Sequence, residues 1–455
     1  MPAWVQDALF YHLFPLGLCG APRHNDFTAP PTPRLEALGP WLDQARDLGA
    51  TALLLGPVWE ATSHGYDTAD FFQVDRRLGD NATLAWLAGE ARQRGLKLVL
   101  DGVFHHVGRD FWAFRDVLDQ GRNSRFVDWF YLDFQRRSPL GDPFAYETWR
   151  GHGDLVKLNL ANPEVRGHLW EAVATWLREY HLDGLRLDAA DHLPLEFLRD
   201  LAAHCRRLKP EFWLLGEVVK GDYLPWLGEG GLDAVTNYEA YKGLYSSQVD
   251  GNYFEIAYTL RRQCGEYGLY GPANLYNFLD NHDVARLASR LGNPASLYPA
   301  HALLFTMPGI PSLYYGSEFG VPGEKAAEHD WPLRPALDLA GLAAAAPQPD
   351  LPRAVARLGR VRAELAALRH GDYQQVEVGP LHLIFLRRTP ESTVLVAVNG
   401  GPQAIWRRVK LPGLGEGKLT DRLNQGESLA VRGGEVELGP LWPFWARVLE
   451  WRAGR

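Results

Sequence analysis

The chain has 455 residues, 46 % hydrophobic and 22 % charged, with a formal net charge of -8. That length calls for a large domain plus accessory ones, and the ordinary balance excludes a disordered or collagen-like chain. The acidic surplus makes a poor polyanion binder and excludes nucleic acid as the expected partner.

At the N-terminus, Met1-Pro2-Ala3-Trp4-Val5-Gln6-Asp7 lacks a basic segment, and the apolar stretch behind it is broken by His12 and Pro15. No signal peptide is read there and no apolar run reaches membrane-spanning length, so a cytoplasmic enzyme without a membrane partner is expected. Residues 8–14 (ALFYHLF) read as a strand, and 51–55 (TALLL) as a buried strand after a helix ending near Gly49. Thr83 to Arg94 reads as a helix closed by Gly95, followed by a strand at 96–104 (LKLVLDGVF). Asn162-Pro163-Glu164 opens a helix with a capping Asn, Pro in the first turn and an acid behind it. Val165, Leu169, Val173, Trp176 and Tyr180 then fall on one face of that helix. Strands follow at 182–188 (LDGLRLD), 212–218 (FWLLGEV), 274–280 (ANLYNFL) and 311–315 (PSLYY). Such alternation means parallel β/α architecture.

Spacing selects a closed (β/α)8 TIM barrel, which spends roughly 30 residues per unit. Asp188 and Glu217 stand 29 residues apart, one unit, and Glu217 and Asp283 stand 66 apart, two units. Asp101 and Asp188 are 87 apart, one unit with an excess of nearly sixty residues. That excess is aromatic, charged and irregular (FWAFRDVLDQGRNSRFVDWFYLDF), so a small inserted domain after the third strand is expected at 107–155. The barrel then comprises 1–106 and 156–369. After Arg369 the stretches turn short and β-rich (382–388, HLIFLRR; 393–398, TVLVAV), which reads as a C-terminal antiparallel β domain over 370–455.

Four stretches place a carboxylate beside a strand end: DGVFHH (101–106), GLRLDAADH (184–192), LLGEVV (214–219) and FLDNHD (278–283). Taken singly, each residue has a bland reading. Asp101 is a loop or cap residue, Glu217 a strand-end charge, His282 a satisfied surface or core imidazole. Together they converge on the C-terminal mouth, where barrel enzymes hold their chemistry. Cleaving a glycosidic bond needs a proton donor for the leaving oxygen and an ionised carboxylate at the anomeric carbon, and paired acids meet both needs. Arg186, two residues before Asp188, can keep that carboxylate ionised. The 16 Trp and 18 Tyr suit sugar stacking, although most belong to the core. Cys19, Cys205 and Cys264 are odd in number and far apart, which gives neither a disulfide framework nor a metal knot.

These four stretches, in this order, resemble the motifs of the α-amylase family, glycoside hydrolase family thirteen. The resemblance runs from HGYDTADFFQVD (64–75) to MPGIPSLYYGSEF (307–319). It implies that Asp188 is the nucleophile, Glu217 the general acid/base and Asp283 the transition-state stabiliser. It further implies that Arg186, His106 and His282 contact the sugar at the cleavage point, that Tyr66 stacks on it, and that Asp67 and Arg286 support the pocket. Asp101 would be a structural neighbour. LVKLNLANP (155–163) is similar to the signature of neopullulanases, cyclomaltodextrinases and maltogenic amylases. That implies retaining cleavage of α-1,4 bonds in maltooligosaccharides or related α-glucans by a monomer or homodimer. Two features depart from the subgroup. The chain starts almost directly at the first barrel strand, and His105 stands where a calcium-ligating Asn is usual. An imidazole suits a hard, oxygen-seeking cation poorly, so no metal residue is assigned and no cofactor is required, with calcium left as an optional ligand. The same intermediate passed to a sugar would make a transglycosylase or isomerase, as in trehalose synthase-like or sucrose-acting relatives. A non-catalytic binding barrel is disfavoured by the intact set of carboxylates.

Overall fold

Eight short parallel strands pair edge to edge until the last closes on the first. They are β1 (Phe10–Leu13), β2 (Ala52–Leu55), β3 (Lys97–Gly102), β4 (Gly184–Leu187), β5 (Trp213–Gly216), β6 (Ala234–Thr236), β7 (Leu275–Phe278) and β8 (Ile310–Tyr314). This computed structural model describes residues 1–327 and 329–454. The strands are largely apolar because both faces are covered. Alternate residues such as Phe10, Leu54, Val99, Trp213, Leu215, Tyr276 and Phe278 pack together inside the barrel. Their neighbours, including Leu53, Leu98, Leu185 and Leu214, pack outward with the helices in a separate, larger core. The helix Pro163–Tyr180 begins as expected, with the Asn162 side chain accepting from Glu164 N–H. No helix among the described residues is long and apolar enough to cross a membrane.

Two elements depart from the expectation. β6 is only three residues long, and only the double-unit spacing implied it. The segment between β3 and β4, expected to be a small inserted domain but without assigned elements, carries a helix at Trp112–Gln120 that buries Ala113, Phe114 and Val117. The Phe114 ring packs on Phe130 and Phe144, and Phe126 and Trp129 are also buried. Strands His106–Gly108, His152–Lys157 and Thr148–Trp149 form a small antiparallel sheet above the barrel mouth. Gly108 is required there: a Cβ on it would stand 2.4 Å from the Asp67 carbonyl oxygen, so any side chain would push away the loop that carries Tyr66.

The C-terminal region is an antiparallel six-stranded sheet in the order 374–379, 382–388, 393–399, 445–453, 417–421 and 428–431. Strands 405–410 and 435–441 pair beside it. Ile384, Leu386, Leu395, Ala397, Leu419 and Leu449 pack on one face. Leu383, Phe385, Val394, Val396 and Val398, on the other face, join the helix-side core of the barrel.

Candidate active site

Register brings the first carboxylates together. In the β3–β4 pairing Arg186 lies opposite Asp101, and in the β4–β5 pairing Leu187 lies opposite Gly216. Asp188 and Glu217 are the next residues on adjacent strands, so residues 29 apart in sequence become neighbours. The ladder continues past the strand ends, with Asp188 N–H donating to the Gly102 carbonyl (3.1 Å) and Glu217 N–H to that of Leu187 (2.9 Å). Arg186 and Asp188, two residues apart, point to the same side of the strand.

The Arg186 guanidinium ties the group together. Its Nη1 donates to Asp101 Oδ1 (2.8 Å) and Asp188 Oδ1 (3.0 Å), and its Nη2 lies 3.0 Å from Glu217 Oε2. Ala189, with φ +48°, adopts a left-handed backbone unusual for a residue with a side chain, and its N–H donates to Glu217 Oε2 (2.9 Å). The Tyr66 hydroxyl donates to Asp101 Oδ2 (2.9 Å) and also touches His282 Nε2. The same His282 nitrogen lies 2.9 Å from Asp283 Oδ2, while Arg334 Nη2 donates to Asp283 Oδ1 (2.9 Å). Asp283 arrives on the loop after β7, where Asn281 Oδ1 accepts from its N–H (2.8 Å).

These groups meet at a cavity of about 590 Å³ lined by Tyr66, His106, Asp188, Glu217 and Asp283. Asp188 and Glu217 keep only 13 % and 12 % of their side-chain surface exposed, Asp283 30 %. Burial and the charge of Glu217 push the Asp188 carboxyl well above the ordinary range. Burial also raises Glu217, against the pull of Arg186. Two acids so close share one proton more readily than they both ionise. Burial likewise opposes ionisation of Asp283, but His282, Arg334 and Arg186 outweigh it and hold that carboxyl below the ordinary range. The raised Asp188 departs from the expectation that Arg186 keeps it ionised: burial and the charge of Glu217 outweigh the guanidinium, so the pair holds one proton, which glycosidic cleavage requires on one acid while the other is ionised.

Tyr66 and His282 stack face to face, with ring centroids 5.6 Å apart. His106 stacks on Trp149 at 5.8 Å, and burial lowers it to about 3, so it meets the cavity neutral. Asp67, Arg186, His282 and Arg286 do not line this cavity; Arg186 and His282 line a smaller void behind it. Asp67 accepts from Ser63 Oγ (2.6 Å) and Gly65 N–H (3.1 Å), fixing the loop that carries Tyr66. Arg286 is fully buried and donates to the carbonyls of Tyr315 (2.9 Å) and Leu333 (3.3 Å). The chain turns away after Asp283, so Arg286 braces the loop leading to Arg334 rather than the sugar pocket itself. The wall also includes residues the sequence did not single out, among them Trp149, Arg150, Tyr238, Asp330 and Arg334. The last two lie in the HDWPLRP stretch around Trp331, which also lines the cavity.

His105 does not complete a calcium site. Its Nδ1 is 3.3 Å from His106 Nδ1, its ring packs edge-on to Trp149 at 5.1 Å, and burial lowers it to about 4. The nearby Asn159 amide is committed to the Asp128 carbonyl (2.9 Å). A neutral imidazole among rings does not fit a cation that wants oxygen.

A (β/α)8 barrel with three acids and a shared guanidinium at its C-terminal mouth defines a class of carboxylate-based glycosidases. The family described as "Alpha amylase, catalytic domain" matches residues 35–337, and this chain belongs to it and is a glycoside hydrolase. It is 33 % identical over 422 residues to a cyclomaltodextrinase from a Bacillus species, covering 88 % of this chain and 73 % of that one. It is 31 % identical over 343 residues to an intracellular maltogenic amylase of Bacillus subtilis, covering 71 % and 57 % respectively. A solved cyclomaltodextrinase structure superposes with a TM-score of 0.85 at 28 % identity, covering 98 % of this chain and 79 % of that one.

Proposed function

We propose that the protein hydrolyses α-1,4-glucosidic bonds in maltooligosaccharides or cyclic dextrins with retention, by double displacement. The observation that carries this is the Arg186 fork, which bonds Asp188 and Glu217 through separate terminal nitrogens at 3.0 Å each. One guanidinium spanning both acids supports the ~5–5.5 Å separation of retaining enzymes over the wider gap, about 6.5–9.5 Å, of inverting ones. Glu217 gives its proton to the glycosidic oxygen as the anomeric C–O bond breaks and an Asp188 oxygen bonds the anomeric carbon. In the second step Glu217 takes a proton from water, the hydroxyl bonds that carbon, and Asp188 leaves as a carboxylate. Asp283, ionised between His282 and Arg334, stabilises the cationic sugar in both transition states.

Tyr66, His106, Arg186 and His282 surround the sugar at the cleavage point, with Asp67 and Arg286 bracing the loops behind them. The relatives' names support short linear or cyclic α-glucans and a cytoplasmic setting. The donor set around His105 supports activity without calcium. The test is a panel of maltotriose, β-cyclodextrin, pullulan, isomaltose, trehalose and sucrose, with products followed by proton NMR. Maltotriose and β-cyclodextrin should be cleaved, with the α-anomer appearing first. A β-anomer, or turnover of trehalose or sucrose alone, would overturn the proposal.

A further inference from the structure

Behind the catalytic cavity, on the far side of Tyr238, the barrel encloses a second, much smaller void of about 20 Å³. Its polar lining includes Arg186, Tyr238 and Tyr276 as well as His12, Asn281 and His282. Two buried nitrogens near it, His12 Nε2 and His282 Nδ1, have no hydrogen-bond partner among the described residues. Leaving a buried polar atom unpaired is costly, and two beside one void point to a common partner. A void this size exceeds the ~10–15 Å³ that one water needs, and the lining offers the two to four polar groups that hold it.

The remaining geometry says what such a water does. His12 lies two residues beyond Phe10 on β1, so its side chain also points into the barrel. Its ring meets that of His282 edge to face, centroids 5.2 Å apart and planes 88° apart. His282 Nε2 faces the Asp283 carboxylate, which only accepts, and the Tyr66 oxygen, whose own proton goes to Asp101. Nε2 therefore carries a proton, and the ring direction that serves Asp283 depends on what Nδ1 meets at the back. Burial, reinforced by the charges of His282 and Arg186, keeps His12 well below its usual range, so it offers a neutral ring.

We propose that His12 is a positioning residue: with one buried water it anchors His282 Nδ1 and so aims His282 Nε2 at Asp283 and the sugar. The proposal goes beyond the assignment of the site residues, although its kinetic arm rests on the roles proposed for His282 and Asp283. The experiment compares His12→Leu, which fills the space without polar atoms, with His12→Gln, which restores a donor and an acceptor. Leu54→Ala, at the same void, controls for loosened packing. Ring-nitrogen shifts of His282 in protein labelled at histidine nitrogens, read without substrate, should move in His12→Leu and stay in His12→Gln and Leu54→Ala. The kcat should fall about tenfold or more in His12→Leu with little change in KM, and His12→Gln should recover most of it. Unmoved His282 shifts in His12→Leu would overturn the anchoring. Moved shifts with unchanged kcat would overturn its catalytic consequence, and equal kcat losses in His12→Leu and Leu54→Ala would reduce it to packing.

Discussion

The barrel mouth and the C-terminal sheet each bury an arginine among carboxylates, yet only one of the two clusters has anything left to bind. Arg447 is fully buried and donates to Asp421 Oδ2 (2.7 Å), and Glu427 meets the same guanidinium. Asp421 Oδ1 in turn accepts from the N–H groups of Leu423 and Asn424, each at 3.0 Å. Both oxygens of the buried Asp421 are taken by fixed groups, so the cluster serves the fold. Arg186 holds three carboxylates at the rim of a cavity, and Asp188 accepts only from that guanidinium among the described residues. Buried charge with unspent hydrogen-bonding capacity facing an opening marks chemistry, whereas the same charge fully spent marks structure.

Variants sharpen that contrast. Glu217→Gln and Asp188→Asn should each lower kcat by about a thousandfold or more, with circular dichroism unchanged. Near-full activity in either would break the assignment. Arg447→Ala should do the opposite, costing about 3–5 kcal/mol in denaturant unfolding because it strands Asp421, while kcat per folded molecule stays the same. Arg334→Ala should lower kcat by about 10- to 100-fold. It should also shift the acid limb of the pH–rate profile toward neutrality, because Arg334 is one of the groups holding Asp283 below the ordinary range.

Linkage gives a smaller effect of definite sign. Asp188 and Glu217 are raised in the folded state, so the native protein binds protons there more tightly than the unfolded chain. Stability from this source is present at pH below the ordinary carboxyl range and is lost as pH rises through the raised values. A neutral amide at either position, as in Asp188→Asn or Glu217→Gln, removes that loss. Each inactive variant should therefore melt higher than wild type at pH 7, with the gain vanishing in acid. An equal or lower Tm at pH 7 would contradict the raised carboxyls. The smallest expected effect is that of chelation: EDTA should change neither Tm nor kcat, and a drop in either would return calcium to the account.

The parts legible in the sequence are those governed by periodicity and unit spacing. The one-unit step from Asp188 to Glu217 gave both the closed barrel and, through strand register, their adjacency. Asp101 and Arg186 were equally accessible, because neighbouring barrel strands share that register. Arg334 was not, since it reaches Asp283 from 51 residues away through a loop without period. Trp149 and Arg150 come from the inserted sheet, whose packing depends on buried rings spread between Phe111 and Phe144. Arg286, which the resemblance placed as a support of the pocket, lies behind its wall and bonds the carbonyls of Tyr315 and Leu333.

Covalent trapping is the most direct test of the division of labour among the three acids. Incubation with 5-fluoro-α-glucosyl fluoride, followed by proteolysis and mass spectrometry, should place one fluoroglucosyl group on the peptide carrying Asp188. A sugar carried by Glu217 or Asp283 would contradict the account.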